Sequence, residues 1–281
     1  MRGEQLSLFE NKYDKIDNLV DKYFWAYHAG MADGDGCITI KEKKYPYYAL
    51  SLCDKNIVEE IANLYGVAIT KVKKEKKHHK QMYKCALYSA NSKHFISRIA
   101  PYLIEKKRYT ASLCKKFNLE IKEPDCSIDL NLRFAWLAGY FDAEGSVRMT
   151  HNFIKKNNNY KFIFRVNFTS TNLLVLRFVR KLLNRVFNRG KNKSILNLYL
   201  KPDKRLHTKP SYELCLRQAT KILIFGKVFL PIIKVQRKID KFKMIINYAL
   251  FAANQKWRFG HIDFKKNTEM RERWLKASEM E

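Results

Sequence analysis

The sequence predicts an α+β fold of two pseudo-symmetric αββαββα repeats. One helix from each repeat packs at a pseudo-twofold axis, and two curved antiparallel sheets lie beside them. Three observations carry this expectation. The chain repeats its own pattern in order. Each copy contains a helix with a stripe of small residues. Each copy then continues in stretches that alternate apolar and polar residues.

The repeat is legible by alignment. "AYHAGMADGDGCI" (Ala26 to Ile38) lies over "AWLAGYFDAEGSV" (Ala135 to Val147). "YALSLCDKNIVEEI" from Tyr48 then matches "FRVNFTSTNLLVLR" from Phe164, and "YKCAL" from Tyr83 matches "YELCL" from Tyr212. Finally "APYLIEKKRYTASL" matches "LPIIKVQRKIDKFK", with Pro101 over Pro231. The order holds while the spacing grows, so the second copy carries insertions around "HNFIKKNNN" and between Arg189 and Tyr212. Insertions collect in loops, so both are expected at hairpin tips. The expected organisation is an N-terminal extension (1–20), a first repeat (21–117), a linker (118–130) stiffened at Pro124, a second repeat (131–250) and a helical C-terminal extension (251–281).

Each element has its own reason. In the first helix, Ala26, Gly30 and Gly34 recur every fourth residue, as do Ala135, Gly139 and Ala143 in the second copy. Small residues at that spacing let two helix backbones approach closely. Gly36 and Gly145 are expected at the left-handed position that ends a helix. Strands follow, such as "KFIFRVNFTS", with Phe162, Phe164, Val166 and Phe168 on one face. Amphipathic helices come next, over 57–65, closed by Gly66, and over 173–187. A second strand pair and a basic helix starting near Pro101 or Pro231 complete the unit.

Composition bounds the function. In 281 residues, 46% are hydrophobic, with only 10 Gly and 6 Pro, so a sizeable core is available and the chain is not low-complexity. Net charge is +28, and the Lys and Arg are spread along the chain rather than gathered in a tail. Such an excess calls for a polyanionic partner, and nucleic acid fits a folded basic surface best. The six cysteines show no zinc-ligand spacing and read as small buried hydrophobes in a reducing compartment. The most apolar run, "ILIFGKVFLPIIKV", is interrupted by Lys227 and Pro231 and is too short to span a bilayer. A soluble, intracellular monomer is expected, with no membrane partner.

Against this basic background the helix ends stand out. Asp33, Asp35, Asp142 and Glu144 crowd the C-terminal ends of the two motif helices, where the helix dipole is already negative. If those helices end side by side, the acids need a cation among them. Oxygen ligands select Mg²⁺, Mn²⁺ or Ca²⁺ over zinc. A basic protein with an acidic focus is the pattern of a metal-dependent nuclease.

"HAGMADGDG" (His28 to Gly36) and "LAGYFDAEG" (Leu137 to Gly145) resemble the paired signature motifs of the LAGLIDADG homing endonuclease family in its single-chain form. The first copy departs by His28 for the leading Leu and by Ala32 at a position usually larger. The resemblance implies that Asp35 and Glu144 are the catalytic, metal-ligating acids, with Gly34 and Ala143 immediately before them in the metal site. Asp33 and Asp142 then hold the helix ends, beside the motif glycines Gly30 and Gly139. Lys106 corresponds to the family's basic residue, which stabilises transition-state charge or tunes the attacking water. The matching second-copy position is Gln236, with Arg237 and Lys238 adjacent.

The implied activity is cleavage of a long, non-palindromic double-stranded DNA site with Mg²⁺, leaving short 3′ overhangs. Mn²⁺ substitutes, and Ca²⁺ supports binding without cleavage. Alternatives on the same scaffold are an intron-RNA maturase and a non-cleaving DNA-binding regulator. The two sheets would form a saddle on the duplex. Strand parity offers Thr39, Lys41, Lys43 and Ser51 from the first repeat, with Lys71 and Lys73 on its second hairpin. The second repeat offers Arg148, Thr150 and Asn152, then Arg165 and Asn167, and Asn197, Tyr199 and Lys201 on its second hairpin. Arg and Asn read bases bidentately, while lysines mainly hold phosphate.

Overall fold

A computed structural model describes residues 12–74, 80–121, 129–154, 159–187, 197–201, 210–217, 219–254, 265, 268–270 and 272–274. They fall into two compact units, Met1–Ala143 and Glu144–Glu281. The first unit runs α1 (12–19), α2 (Lys22–Gly34), β1 (Cys37–Lys41), β2 (Tyr45–Leu52), α3 (Lys55–Tyr65), β3 (Ile69–Val72), β4 (Met82–Tyr88) and α4 (Ser89–Ile99). A 3₁₀ turn (Ala100–Tyr102), α5 (Lys107–Lys116) and α6 (Leu130–Glu144) follow. Helix α6 opens the second repeat in sequence, yet all but its last residue belongs to the first unit.

The first sheet is antiparallel, in the order β1-β2-β4-β3. Its inner face carries Tyr48, Leu50, Cys85 and Leu87, all fully buried, and the Tyr48 ring lies 4.3 Å from Phe95 of α4. Alternation along β2 and β4 thus builds one face of the core, roughly 25 cal/mol for each Å² of apolar surface removed from water. Helix α3 presents Ile57, Val58, Ile61, Ala62 and Tyr65 to it and ends at Gly66, with φ 64°. There the left-handed cap falls where the sequence places it.

The β1–β2 turn is tight. Lys44 N–H donates to the Lys41 carbonyl at 3.0 Å, and both central residues, Glu42 and Lys43, have positive φ (53° and 57°). Hairpins favour this turn for its twist, but it suits Asn-Gly and costs other residues about 1 kcal/mol each. Lys43→Gly is therefore expected to stabilise the protein by about 1 kcal/mol in urea unfolding; an unchanged or lowered midpoint would show that the turn is not strained.

The second unit runs β5 (Gly145–Ile154), β6 (Asn159–Ser170), α7 (Leu173–Phe187), β7 (Asn197–Lys201), β8 (Ser211–Leu216), α8 (Ala219–Phe229) and α9 (Gln236–Asn254). Its sheet order, β5-β6-β8-β7, repeats that of the first. Phe162, Phe164, Val166 and Phe168 are all buried on one face, under Val175, Leu176, Val179, Leu182 and Leu183 of α7. Strands β5 and β6 have 10 and 12 residues against 5 and 8 for β1 and β2, so the first insertion lengthens a hairpin. The tip itself, 155–158, lies outside the described residues, as do 188–196 and 202–209 in the second insertion. In the C-terminal extension Trp274 is buried, its ring 6.3 Å from Phe164, so this segment adds to the second core.

Three expectations need correction. Each repeat ends in two helices, not one: α4 and α8 precede Pro101 and Pro231, and α5 and α9 follow them. In α4, Ser92, Phe95, Ile96 and Ile99 are buried at the i, i+3, i+4, i+7 spacing, but polar Ser and Asn at its start mask the pattern. Gly36 and Gly145 are not left-handed; among the described glycines only Gly66 has positive φ. Gly36 is required by space instead, since a Cβ there would meet the Ala32 Cα at 2.6 Å, and Gly145 enters β5 directly from α6. Cys37 and Cys53 are exposed, whereas Cys85, Cys114 and Cys215 are buried; Cys126 lies outside the described residues. The N-terminal extension contains α1, docked on α4 by an Asp17–Arg98 ion pair and by Tyr13 stacked on His94 at 4.6 Å. Among the described residues no helix is long and apolar enough to cross a membrane.

Candidate active site and nucleic-acid interface

The small-residue stripe does what its spacing implies. Helices α2 and α6 meet backbone to backbone: a Cβ on Gly30 would lie 2.0 Å from the Trp136 carbonyl oxygen and 2.6 Å from Tyr140 N. A Cβ on Gly139 would lie 1.9 Å from the Tyr27 oxygen. Ala26 and Ala135 are buried along the same stripe. His28, at the departing motif position, is fully buried, with its Nε2 3.3 Å from Glu60 Oε2.

Two crossed hydrogen bonds lock the pair. Trp136 Nε1 donates to Asp33 Oδ2 at 2.9 Å, and Tyr27 OH donates to Asp142 Oδ2 at 2.6 Å. Tyr27 and Trp136 occupy the same position in the two motifs, so each helix supplies a donor to the other's first acid. Asp33 also accepts from the main-chain N–H groups of Ile104, at 2.7 Å, and Lys106, at 2.9 Å. Burial raises its pKa, and these donors pull the other way by favouring the carboxylate. Asp33→Ala would leave three donors without that acceptor, one buried and two part-buried, and is expected to cost about 3 kcal/mol. A thermal-unfolding loss below about 1 kcal/mol would contradict that role.

Lys106 answers the charge problem at the end of α2. Its Nζ donates to the carbonyls of Ala32, Asp33 (3.0 Å), Gly34 (3.4 Å) and Gly36 (2.7 Å). The first three are carbonyls that the end of α2 leaves without helical partners, and a cation there also opposes the dipole. Desolvation pushes the Lys106 pKa down, while Asp33, Glu105 and Asp35 push it back up. Asp35 sits at the C-cap, exposed, its N–H bonded to the Met31 carbonyl at 2.9 Å. Glu144 is half-buried at the last residue of α6.

Gly34 and Ala143 lie immediately before Asp35 and Glu144 in sequence, at the ends of α2 and α6. Carboxylate and main-chain oxygens are the donor type that hard divalent cations take. No cluster of three or more His, Cys, Asp or Glu occurs among the described residues. Gln236 is exposed at the first turn of α9 and bonds Asp240 at 2.8 Å, while Lys238 nearby is buried.

Strand register sorts the proposed contact residues. In the first sheet, Thr39 pairs with Tyr47, Lys41 with Tyr45 and Ser51 with Lys84, so all six share the outer face. Lys43 lies in the β1–β2 turn. Lys71 pairs with Tyr83, on the face of buried Cys85, and Lys73 lies past the end of β3; Thr70, paired with Lys84, takes the outer position instead. In the second sheet, Arg148 faces Arg165, Thr150 faces Ile163, and Asn167 lies between Ser146 and Cys215. Asn167 is only 2% exposed, so it stands within the sheet surface rather than on it. Tyr199 pairs with Glu213 and is exposed; the backbones of Asn152, Asn197 and Lys201 pair with Lys161, Cys215 and Ser211, and their side chains lie outside the described residues.

Sequence reasoning overlooked three features. Tyr47 and Tyr88 stand on the outer face with Lys41 and Lys84 over their rings. Arg217, just past β8, has its guanidinium 5.1 Å from the Tyr199 ring and bonds Cys215 Sγ at 3.4 Å. The paired Tyr27 and Trp136 were visible as "AYHAG" and "AWLAG", an aromatic donor at one repeat position.

The chain resembles known proteins in part of its sequence and in its fold. Residues 131–206 match the family model of a LAGLIDADG-like domain. The probable intron-encoded endonuclease aI2 of Debaryomyces hansenii is 25% identical over 148 residues, 51% of this chain but 21% of that protein. The chain therefore spans about a fifth of the length of that relative. Among solved structures, the LAGLIDADG meganuclease I-AabMI bound to uncleaved DNA superposes with a TM-score of 0.60 at 16% identity, over 90% of this chain and 97% of that one. I-SmaMI bound to uncleaved DNA with calcium ions gives 0.53 at 14% identity, with the same coverages. Residues 131–206 are thus similar in sequence to a LAGLIDADG-like domain, and the chain shares the α+β fold of the solved LAGLIDADG meganucleases.

Proposed function

We propose that the chain is a site-specific double-strand DNA endonuclease acting as a monomer on a long, non-palindromic site. It hydrolyses both strands with a divalent metal and leaves short 3′ overhangs. The observation that carries this reading is the division of labour at the end of α2. Asp33 is committed to the fold, whereas Asp35 stands exposed beside an ammonium already caged by carbonyls.

Asp35 and Glu144 would hold Mg²⁺, or Mn²⁺ in its place, with main-chain oxygen at Gly34 and Ala143. The chemistry such an ion supplies is activation of water and stabilisation of the leaving 3′ oxygen. Lys106 keeps positive charge beside Asp35, where negative charge develops during hydrolysis. Gln236 would serve the second repeat. The outer sheet faces, in a protein of net charge +28, would lie in the major groove. The name of the yeast relative supports an intron-encoded origin, and the DNA-bound meganucleases of the same fold support a duplex partner.

Selection on a randomised library of long duplexes tests the reading. One asymmetric sequence should be cut in Mg²⁺ and bound without cutting in Ca²⁺. Specific binding with no cutting in Mg²⁺ or Mn²⁺ would point to a non-cleaving regulator. Absence of specific duplex binding would point to host intron RNA and a maturase.

A further inference from the structure

We propose that the two sheets read the duplex by different chemistry. Arg148, Arg165 and Arg217 of the second sheet select guanines, and the first sheet leaves its half of the site poor in guanine contacts. This rests on the duplex-endonuclease reading above.

The second sheet concentrates guanidinium. Arg148 and Arg165 are direct cross-strand partners, and like charges in that position repel unless an anion lies over them. Arg165 Nε is buried without a hydrogen-bond partner among the described residues. A buried donor left unpaired calls for a group from outside the fold. Arg217 is held in place by the Tyr199 ring and Cys215 Sγ, so its planar fork loses little freedom on binding. A fork held this way matches O6 and N7 of guanine, the commonest specific contact in the major groove.

The first sheet has none of this. Its outer face, Cys37, Thr39, Lys41, Tyr45, Tyr47, Ala49 and Ser51 with their β3 and β4 neighbours, contains no Arg, Asn or Gln among the described residues. Its lysines are engaged by phenols. Lys41 Nζ donates to Tyr88 OH at 3.4 Å and lies 4.9 Å from that ring, while Lys84 lies 5.9 Å from the Tyr47 ring. Hydroxyls of Thr39, Thr70 and Ser51 accept either base partner, and the methyls of Ala49 and Ala86 suit the thymine methyl. Ammonium ions fixed in this way serve phosphate, which positions the duplex without reading it.

The test is a binding selection in Ca²⁺, using the full chain and randomised duplexes. Guanine preferences should be confined to one half of the recovered site. Arg217→Ala should weaken guanine discrimination at one position by about ten-fold or more, and Arg217→Gln should shift that position toward adenine. Preferences elsewhere in the site should persist, which excludes a folding defect. Lys41→Ala should lower affinity evenly and reduce the salt slope by about 1. Guanine preference spread over both halves, or unaltered in the Arg217 variants, overturns the proposal while the duplex reading stands. Failure to retain any duplex overturns both.

Discussion

Gly30→Ala and Gly139→Ala are each expected to cost at least about 3 kcal/mol, the upper end of what forcing atoms into a packed core usually costs. In both cases the added Cβ meets main chain, not the flexible end of a side chain: the Trp136 oxygen at 2.0 Å and the Tyr27 oxygen at 1.9 Å. Relief requires α2 and α6 to separate, which lengthens the crossed Trp136–Asp33 and Tyr27–Asp142 hydrogen bonds as well. Against a typical net stability of about 5–15 kcal/mol, one such loss is large. Gly226→Ala is the control. Its Cβ would meet only side-chain carbons of Phe242 at 3.2 Å and Ile246 at 3.4 Å, and α8 gains helix propensity. Urea unfolding should show a steep loss for Gly30 and Gly139 and little change for Gly226. Equal effects at the three positions would refute the close backbone packing.

Asp35→Asn and Glu144→Gln are expected to lower cleavage by about a thousand-fold or more, about 4 kcal/mol at 1.36 kcal/mol per decade. Both substitutions keep the shape of the side chain and remove the charge that attracts a divalent ion. DNA affinity should survive, since the acids oppose rather than assist contact with phosphate. Stability should also be nearly unchanged, because each amide keeps the size of the carboxylate it replaces, and Asp35 is exposed. That separation distinguishes the chemistry from the scaffold. A variant of Asp33 should fail through unfolding, and a variant of Asp35 should fail while folded. Undiminished cutting by either Asp35→Asn or Glu144→Gln would remove the acids from the active site.

Periodicity and repetition carried most of the fold because they report what each residue faces. The alternation at Phe162, Phe164, Val166 and Phe168 translated directly into a buried face, and the small-residue stripe into a helix contact. Helices α4 and α8 were harder to see. One is diluted by Ser and Asn, and the other is so apolar that no face stands out. Gly36 illustrates a different limit: its glycine is demanded by the nearness of Ala32 and not by a backbone angle. Register places exposed Lys71 opposite Tyr83, on the face of Cys85, since one residue of register moves a side chain to the other face of a sheet. Lys106 was legible as a candidate, but its cage of four carbonyls depends on contacts 70 to 74 positions away in sequence.

The most direct measurement is denaturing-gel mapping of both strands of a selected duplex after incubation with the purified chain. In Mg²⁺ each strand should be cut once, at positions offset to leave short 3′ overhangs, and in Ca²⁺ the duplex should be bound intact. A specifically bound duplex that stays whole on both strands in Mg²⁺ and Mn²⁺ would contradict the endonuclease reading.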